Sequence, residues 1–387
     1  MPKHPTLDPM SDRLGGSVYS SVASRIASLQ GEIYPLHIGD TWMDPDPELD
    51  WRSLDPKARP RPHLYSDPGG IAALRDRLVD KVRDRNRIPI TGRENVLITA
   101  GATAALAAAA AVVVGPGDEV LVLAPYWPLI CGIVIEARGT PVEVPVLTDP
   151  ELSADSLREA LEARCSERTV AVYVSTPSNP TSRVLPLPML EAVAELARAH
   201  DLWVLSDEVY EDYAYRGSHH SIGELAPERT ITAFSFSKAY GMSGYRCGYL
   251  AGSPPVIEGA RRHATHLWYS TPTPAQHLAL RALDVGSRWI ERARSVYQDA
   301  GDRAAARLGL PPPGGSQFLF IDVGPWLDER GLLGFLEDCL EDNLVVAPGT
   351  SFGPSYGSWI RLCFTCAPPE VVTRGVEILA RRLGRTL

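Results

Sequence analysis

An α/β fold is what the sequence predicts: a large, mainly parallel sheet between two helical layers, followed by a smaller α+β domain. Three observations carry that reading. Between residues 96 and 251, short β-branched runs alternate with helical ones, the pattern of β–α units. The runs are continuously apolar, as in strands buried on both faces, and do not alternate like strands with one wet side. Residues with reactive chemistry fall just beyond the runs' carboxyl ends, where open α/β sheets bind ligands.

The elements follow in order. Residues 1–45, punctuated by Pro and Gly, read as an N-terminal arm with a short helix and as part of the smaller domain. The large domain is expected over 46–286, opening with a Pro-rich extended loop at 46–70. Strands are predicted at 96–99, 119–123, 169–174, 202–205 and 231–234, and helices at 102–113, 127–137, 153–164 and 187–200. From residue 287 to 387 a helix at 288–308 precedes mixed strands and helices, the pattern of the small C-terminal domain. A chain of 387 residues is long enough for both. No internal repeat interrupts this plan.

Composition excludes several classes. A net charge of −9 argues against a general nucleic-acid or anionic-membrane binder, which needs a basic face. The N-terminus lacks the apolar region of a secretory signal. The longest apolar stretch, 102–114, is too short to span a bilayer and fits a buried Ala-rich helix. A cytoplasmic, soluble protein is expected. Cys131, Cys165, Cys247, Cys339, Cys363 and Cys366 show no disulfide framework. Cys363 and Cys366 form a CxxC, but no second CxxC or His pair joins them to make a metal site. On a strand their thiols would point to opposite faces, so reduced core cysteines are expected.

The chemistry centres on Lys238, in the run Ser235-Phe-Ser-Lys-Ala-Tyr-Gly-Met-Ser-Gly-Tyr-Arg-Cys-Gly248. A buried lysine amine has a lowered pKa and forms Schiff bases with carbonyls. Ser235, Ser237 and Arg246 suit a phosphate, Arg supplying a forked donor set. The amides of Ala102 and Thr103 open a helix after a strand and would aim at the same anion. Trp127 offers a flat face for a heteroaromatic ring. Asn179, between Pro177 and Pro180, and Tyr210 could both donate to a phenolate. Asp207, at a strand end, can pair with a pyridine nitrogen and hold it protonated. Arg361 lies inside an apolar run, where an arginine is costly unless it meets a carboxylate. Singly, each has a plain reading: solvated loop, helix start, core aromatic, turn or internal salt bridge. Asp207-Glu208 could suggest a metal, but no His is spaced to join it. Together the set calls for one ligand with a phosphate, a carbonyl and a ring nitrogen.

Residues 235–248 resemble the lysine-attachment signature of class I/II pyridoxal-phosphate aminotransferases. The order and spacing of the motifs across about 35–365 resemble fold-type-I members of that family. Two positions depart from the pattern: Cys247, where an aliphatic residue is usual, and Ser182, where the N-P-T-G run has glycine. The resemblance implies pyridoxal 5'-phosphate bound as a Schiff base to Lys238, which then serves as general base at the substrate Cα. It implies an amino acid and a 2-oxo acid as substrates, with the α-carboxylate held by Arg361 and Asn179 and lying near Gly39. It further implies a homodimer in which Tyr65 reaches the phosphate of the neighbouring subunit.

Two other outcomes stay open from the residues. A lyase, cyclase or oxidase on the same fold would use the same carbanion. A regulator that only senses cofactor would need a basic helix-turn-helix ahead of the domain, and Gly39 already falls within it. For the side-chain pocket, the segment 263–270 carries Trp268, Tyr269 and two histidines but no arginine, and Trp42 follows Gly39. A neutral donor is therefore expected in at least one half-reaction.

Overall fold

The computed structural model describes the chain except for residues 1–3, 5, 17–22, 56, 58–60 and 386–387. Seven strands form the large sheet: β1 Val96–Thr99, β2 Glu119–Ala124, β3 Thr140–Pro145, β4 Thr169–Ser175, β5 Trp203–Asp207, β6 Thr230–Ser235 and β7 Gly248–Ala251. Their order is β1-β7-β6-β5-β4-β2-β3. β7 is antiparallel to both neighbours, and the other pairs are parallel. The five expected strands are present, and two more complete the sheet. β3, Thr-Pro-Val-Glu-Val-Pro, has no apolar run to betray it; its prolines are tolerated because it is an edge strand. β7 is only four residues long and runs against its neighbours.

The helices of this part are α1 Ala72–Asp84, α2 Gly101–Val113, α3 Leu129–Glu136, α4 Ala154–Glu162, α5 Leu187–Ala199, α6 Pro254–Leu267 and α7 Thr273–Val285. They cover both faces because strand side chains alternate. Val120, Val122 and Ala124 of β2 join the core beneath α2, α3 and α6. Leu121 and Leu123 join the opposite core beneath α4 and α5. At the other end of that second face, Val96 and Ile98 of β1 pack under α1 and α7. Each such buried side chain contributes about 1.5–3 kcal/mol, so uncovering either face would exceed the net stability of a typical domain.

The C-terminal part contains α8 Ser287–Arg307, α9 Gly331–Glu341 and α10 Pro369–Arg382, packed on β8 Phe318–Asp322, β9 Ala347–Pro348 and β10 Trp359–Cys363. The strands form an antiparallel sheet in the order β9-β10-β8. Tyr34–Pro35 pairs in parallel with Leu344–Val345, and Leu36 and Met43 are buried in this same core beside Trp289, Tyr297 and Leu379. The stretch from 34 to 43 is thus built into the C-terminal core and passes from it across the strand ends of the large sheet.

Three local expectations need correction or completion. The loop at 46–70 is not uniformly extended: Pro47–Leu49 and Trp51–Ser53 form single turns capped by Asp46 and Asp50, and its residues 56 and 58–60 lie outside the described residues. The arm contains two short helices, Met10–Arg13 and Ala23–Ser28, with 1–3, 5 and 17–22 likewise outside. Cys363 and Cys366 do not point to opposite faces. β10 ends at Cys363 and the chain bends over 364–367, so strand alternation no longer governs Cys366, whose thiol turns back to the Cys363 carbonyl at 3.3 Å. Among the described residues, no helix is long and apolar enough to cross a membrane.

Candidate active site

Because β1, β2, β4, β5 and β6 run the same way, their carboxyl ends open onto one edge. There a cavity of about 180 Å³ is lined by Ala102, Thr103, Trp127, Asn179, Asp207, Tyr210, Ser235, Ser237, Lys238 and Arg246, together with Leu106, Val209 and Ser243. The last three were not anticipated. Leu106 lies one helical turn beyond Ala102 and Thr103, so it shares their face. Val209, between Asp207 and Tyr210, carries no reactive group, and the Ser243 hydroxyl, within the run 235–248, is committed to the Asp40 carboxylate at 2.8 Å.

One end of the cavity is built for an anion. Gly101, at φ +79°, starts α2, and a Cβ there would lie 2.4 Å from Arg246 Nη2. At Gly248 an added Cβ would stand 2.8 Å from the backbone of Gly101 and Ala102. The absence of both side chains lets the helix N-terminus and Arg246 converge. Arg246 is itself left-handed (φ 55°) and donates to the Ser243 carbonyl at 2.9 Å. Ser235 accepts a hydrogen bond from the Ser237 amide at 3.1 Å and so caps the single turn Phe236–Ala239 that carries Lys238. Helix amides, two hydroxyls and a guanidinium form a donor-rich set suited to phosphate.

In the middle, Lys238 Nζ donates to the Gly39 carbonyl at 2.5 Å. Burial lowers the pKa of its amine below the ordinary lysine value; the Arg361 and Arg246 cations add to this and Asp40 opposes it. Gly39 needs its bare Cα, since a Cβ would come within 2.8 Å of the Phe318 ring. On the far side, Asp207 accepts from Tyr173 Oη at 2.8 Å and from the Val209 amide at 3.4 Å. Burial pushes its carboxyl up to about 6 despite those hydrogen bonds. Glu208 is engaged elsewhere, with Ser206, Ser221 and His219. No group of His, Cys, Asp and Glu among the described residues could hold a metal.

Arg361 discriminates between its two readings. It donates to Asn179 Oδ1 at 2.9 Å and to the His37 carbonyl at 2.6 Å, and its guanidinium lies over Phe318 and Phe352 at 4.3 and 4.7 Å. It forms no salt bridge among the described residues, and its Nε is buried without a partner. A buried cation paired only with carbonyls and ring faces suits an incoming carboxylate. His37, pushed down to about 4 by burial and by Arg361, stays neutral beside it. Asn179 is presented by a tight loop in which Ser182 adopts φ 59°, the left-handed region that explains why glycine is usual there. The serine is held by hydrogen bonds with Ser316 Oγ and the Phe318 amide at 2.8 and 3.2 Å. Tyr65 alone among the predicted residues stands apart: it is 86% exposed and packs edge-on against Tyr269, outside the cavity.

The cavity thus offers an anion cradle, a neutral-leaning amine, an aromatic wall and a buried carboxylate in series, which fits pyridoxal 5'-phosphate in size of charge, polarity and order of groups. Comparison with known proteins gives the family of the chain. The family described as "Aminotransferase class I and II" matches residues 48–379. An aspartate/prephenate aminotransferase of Thermus thermophilus is 35% identical over 83% of this chain and 83% of its own. An arginine–pyruvate transaminase of Pseudomonas aeruginosa is 32% identical over 86% and 85%. A structure of a single mutant of the aspartate aminotransferase from Thermus thermophilus superposes with a TM-score of 0.88 at 30% identity, covering 98% of this chain and 100% of that one. The fold is therefore that of the fold-type-I aminotransferases, and the chain is an enzyme of the class I and II aminotransferase family.

Proposed function

We propose that this enzyme holds pyridoxal 5'-phosphate on Lys238 and moves an amino group between an amino acid and a 2-oxo acid, working as a homodimer in the cytoplasm. The reading rests on one observation: Lys238 and the buried Asp207 line one strand-end cavity, and the buried Arg361, without a carboxylate partner among the described residues, meets that cavity through its hydrogen bond to Asn179. Bound there, the cofactor supplies a carbonyl that captures amines and a ring that draws electron density from the substrate Cα. Arg246, Ser235, Ser237 and the amides of Ala102 and Thr103 would hold its phosphate. Trp127 would face its ring, and Asp207 its ring nitrogen. Asn179 gives its carbonyl oxygen to Arg361, leaving the amide nitrogen to donate to the phenolic oxygen. Tyr210 is the second donor there, kept protonated by burial. Arg361 would orient the substrate through its carboxylate, and Lys238, as a free amine, would be the base that takes the proton from the substrate Cα. The large part, 46–286, supplies the cofactor contacts, and the small C-terminal part, 287–387 with the arm, supplies Arg361.

The dimer is supported by the apolar patch of Leu64, Tyr65, Leu267 and Tyr269, all exposed in the single chain; such patches commonly mark interfaces. For the substrate, relatives named for aspartate and prephenate and for arginine and pyruvate do not agree on a side chain. The two arginines nearest the 263–270 segment are already engaged: Arg261 and Arg262 bind Glu258 at 2.8 and 3.1 Å. This supports a neutral side chain in at least one half-reaction, because an unpaired carboxylate is costly to desolvate.

Four outcomes test these readings. Lys238→Ala is expected to lose the visible absorbance of the bound cofactor and all turnover while keeping its far-UV circular dichroism; full turnover would refute the assignment. Mixing Lys238→Ala with Tyr65→Ala should regain activity, since one site of the hybrid has both residues intact, and an active monomer on sedimentation would exclude the shared site. In single-turnover reactions phenylalanine and leucine should match or outpace aspartate and glutamate; an acidic donor roughly a hundredfold faster would end the neutral-donor idea. The fourth concerns pH. Asp207 has its folded-state pKa raised to about 6 from an ordinary 3.8, so its contribution to stability is full below pH ~4 and is lost as pH rises through about 6. Two units correspond to roughly 3 kcal/mol. Cofactor-free Asp207→Asn should therefore gain stability relative to cofactor-free wild type between pH 4 and 7, and bound cofactor should abolish the difference by offering Asp207 a cation. Parallel stability curves for the two cofactor-free proteins would contradict this.

A further inference from the structure

The bend after β10 brings together two thiols that have no part in amino transfer. Cys366 Sγ donates to the carbonyls of Pro35 and Cys363 at 3.2 and 3.3 Å. Cys363 Sγ lies 3.9 Å from the Asp40 carbonyl and 3.4 Å from Thr365 Oγ1. Both thiols thus turn into the same bend: Cys366 Sγ is held against the Cys363 backbone, and Cys363 Sγ against the hydroxyl of Thr365, the residue before Cys366. Cys363 is fully buried, while Cys366 is half-buried, so the pair is approached from the Cys366 side. The other four cysteines lie far along the chain and have no such neighbour among the described cysteines' bonds, which makes them internal controls.

The position of this pair gives it consequence. Arg361 is two residues before Cys363 on the same strand. The two thiols grip the 35–40 stretch at both ends, at Pro35 and at Asp40. Between those points lie the His37 carbonyl that receives Arg361 and the Gly39 carbonyl that receives Lys238. Thr365 Oγ1 also donates to the Asp40 carbonyl at 2.7 Å, and the Cys363 amide to Leu36 at 2.8 Å. The CxxC turn is therefore the anchor of the backbone that positions Arg361.

We propose that Cys363 and Cys366 are a reversible dithiol–disulfide site, oxidised by hydroperoxides, and that the disulfide form binds the substrate carboxylate more weakly. The reaction balances with hydrogen peroxide as oxidant. The Cys363 thiolate attacks an oxygen of peroxide that enters past Cys366, the O–O bond breaks, and the leaving hydroxide takes up the proton the thiol released, giving a sulfenic acid and water. The second thiol then displaces the sulfenic hydroxyl as another water, forming the S–S bond; two electrons and two protons have passed to oxygen. Burial disfavours a thiolate at Cys363, but hydrogen bonds from Cys366 and Thr365 and the Arg361 cation bring its thiol below the usual cysteine range, which prepares one sulfur as nucleophile. Closing the bridge removes both S–H donors, so the Pro35 and Asp40 carbonyls lose those partners and the backbone between them shifts under Arg361. The effect on binding rests on the reading of Arg361 as the carboxylate clamp; formation of the disulfide does not.

The test uses holoenzyme treated with hydrogen peroxide, then alkylated and mapped by mass spectrometry. The peptide spanning 363–366 is expected to lose two hydrogen masses and escape alkylation, while Cys131 and Cys165 remain alkylated. KM for the amino donor should rise roughly fivefold or more with a smaller change in kcat, and dithiothreitol should reverse both changes. Cys366→Ser keeps a hydroxyl donor for Pro35 but cannot close the bridge; compared with itself before and after peroxide, it should show no KM change. Cys366→Ala serves the same comparison if the serine variant does not fold. Retention of both alkylatable thiols under peroxide that oxidises a free dithiol, a disulfide with unchanged KM, or an equal response in the Cys366 variants overturns the proposal. Arg361→Lys separates the two readings: unchanged KM in that reduced variant defeats the clamp, whereas a raised KM alongside normal binding by the oxidised wild type defeats the switch.

Discussion

The common direction of β1, β2, β4, β5 and β6 is the constraint on which the site depends. A parallel sheet delivers the end of every strand to one edge, so residues as distant in sequence as Thr103 and Arg246 share one cavity. That direction is maintained only because helices cover both faces and bury the alternating side chains of each strand. β7, running backwards, serves a different purpose: its first residue is the bare glycine on which the α2 N-terminus rests. The anion cradle thus follows from backbone packing before any side chain is placed.

Electrostatics in the cavity are set by burial more than by pairing. Lys238 is pushed toward its neutral form, Asp207 toward its protonated form, and Arg361 lies buried with no carboxylate partner among the described residues. Burial of each such group costs the protein stability in isolation, a cost that a ligand group of complementary chemistry would relieve. An interior organised this way exchanges its own stability for binding, a pattern common at catalytic sites.

The stretch from 34 to 43 couples the two parts of the chain. It is paired to Leu344–Val345 and buried in the C-terminal core, yet its carbonyls receive Lys238 from the large sheet and Arg361 from β10. Trp289 of α8 donates to the Asp44 carbonyl at 2.8 Å, and Ser243 Oγ to the Asp40 carboxylate at 2.8 Å, which fixes the later end of the crossing. Displacement of this stretch reaches Arg361 and Lys238 at once.

The amino-acid sequence by itself determined the buried strands, the Ala-rich helix and nearly every group that lines the cavity. Those follow from local rules: continuous β-branched runs mean burial on both faces, and Asp207, Asn179, Lys238 and Arg246 each sit within a motif whose chemistry is legible in a few residues. Only the tertiary structure decided the rest, because it depends on groups remote in sequence. β3 carries prolines that conceal an edge strand, and β7 is too short to announce its reversed direction. That Arg361 meets carbonyls and ring faces, with no carboxylate, could not be read from Trp359–Cys363, since its partners come from residues 37, 179, 318 and 352. The turn that joins Cys366 to Cys363 also escaped strand periodicity, because the strand ends at Cys363, three residues before Cys366, and alternation does not extend to the second thiol.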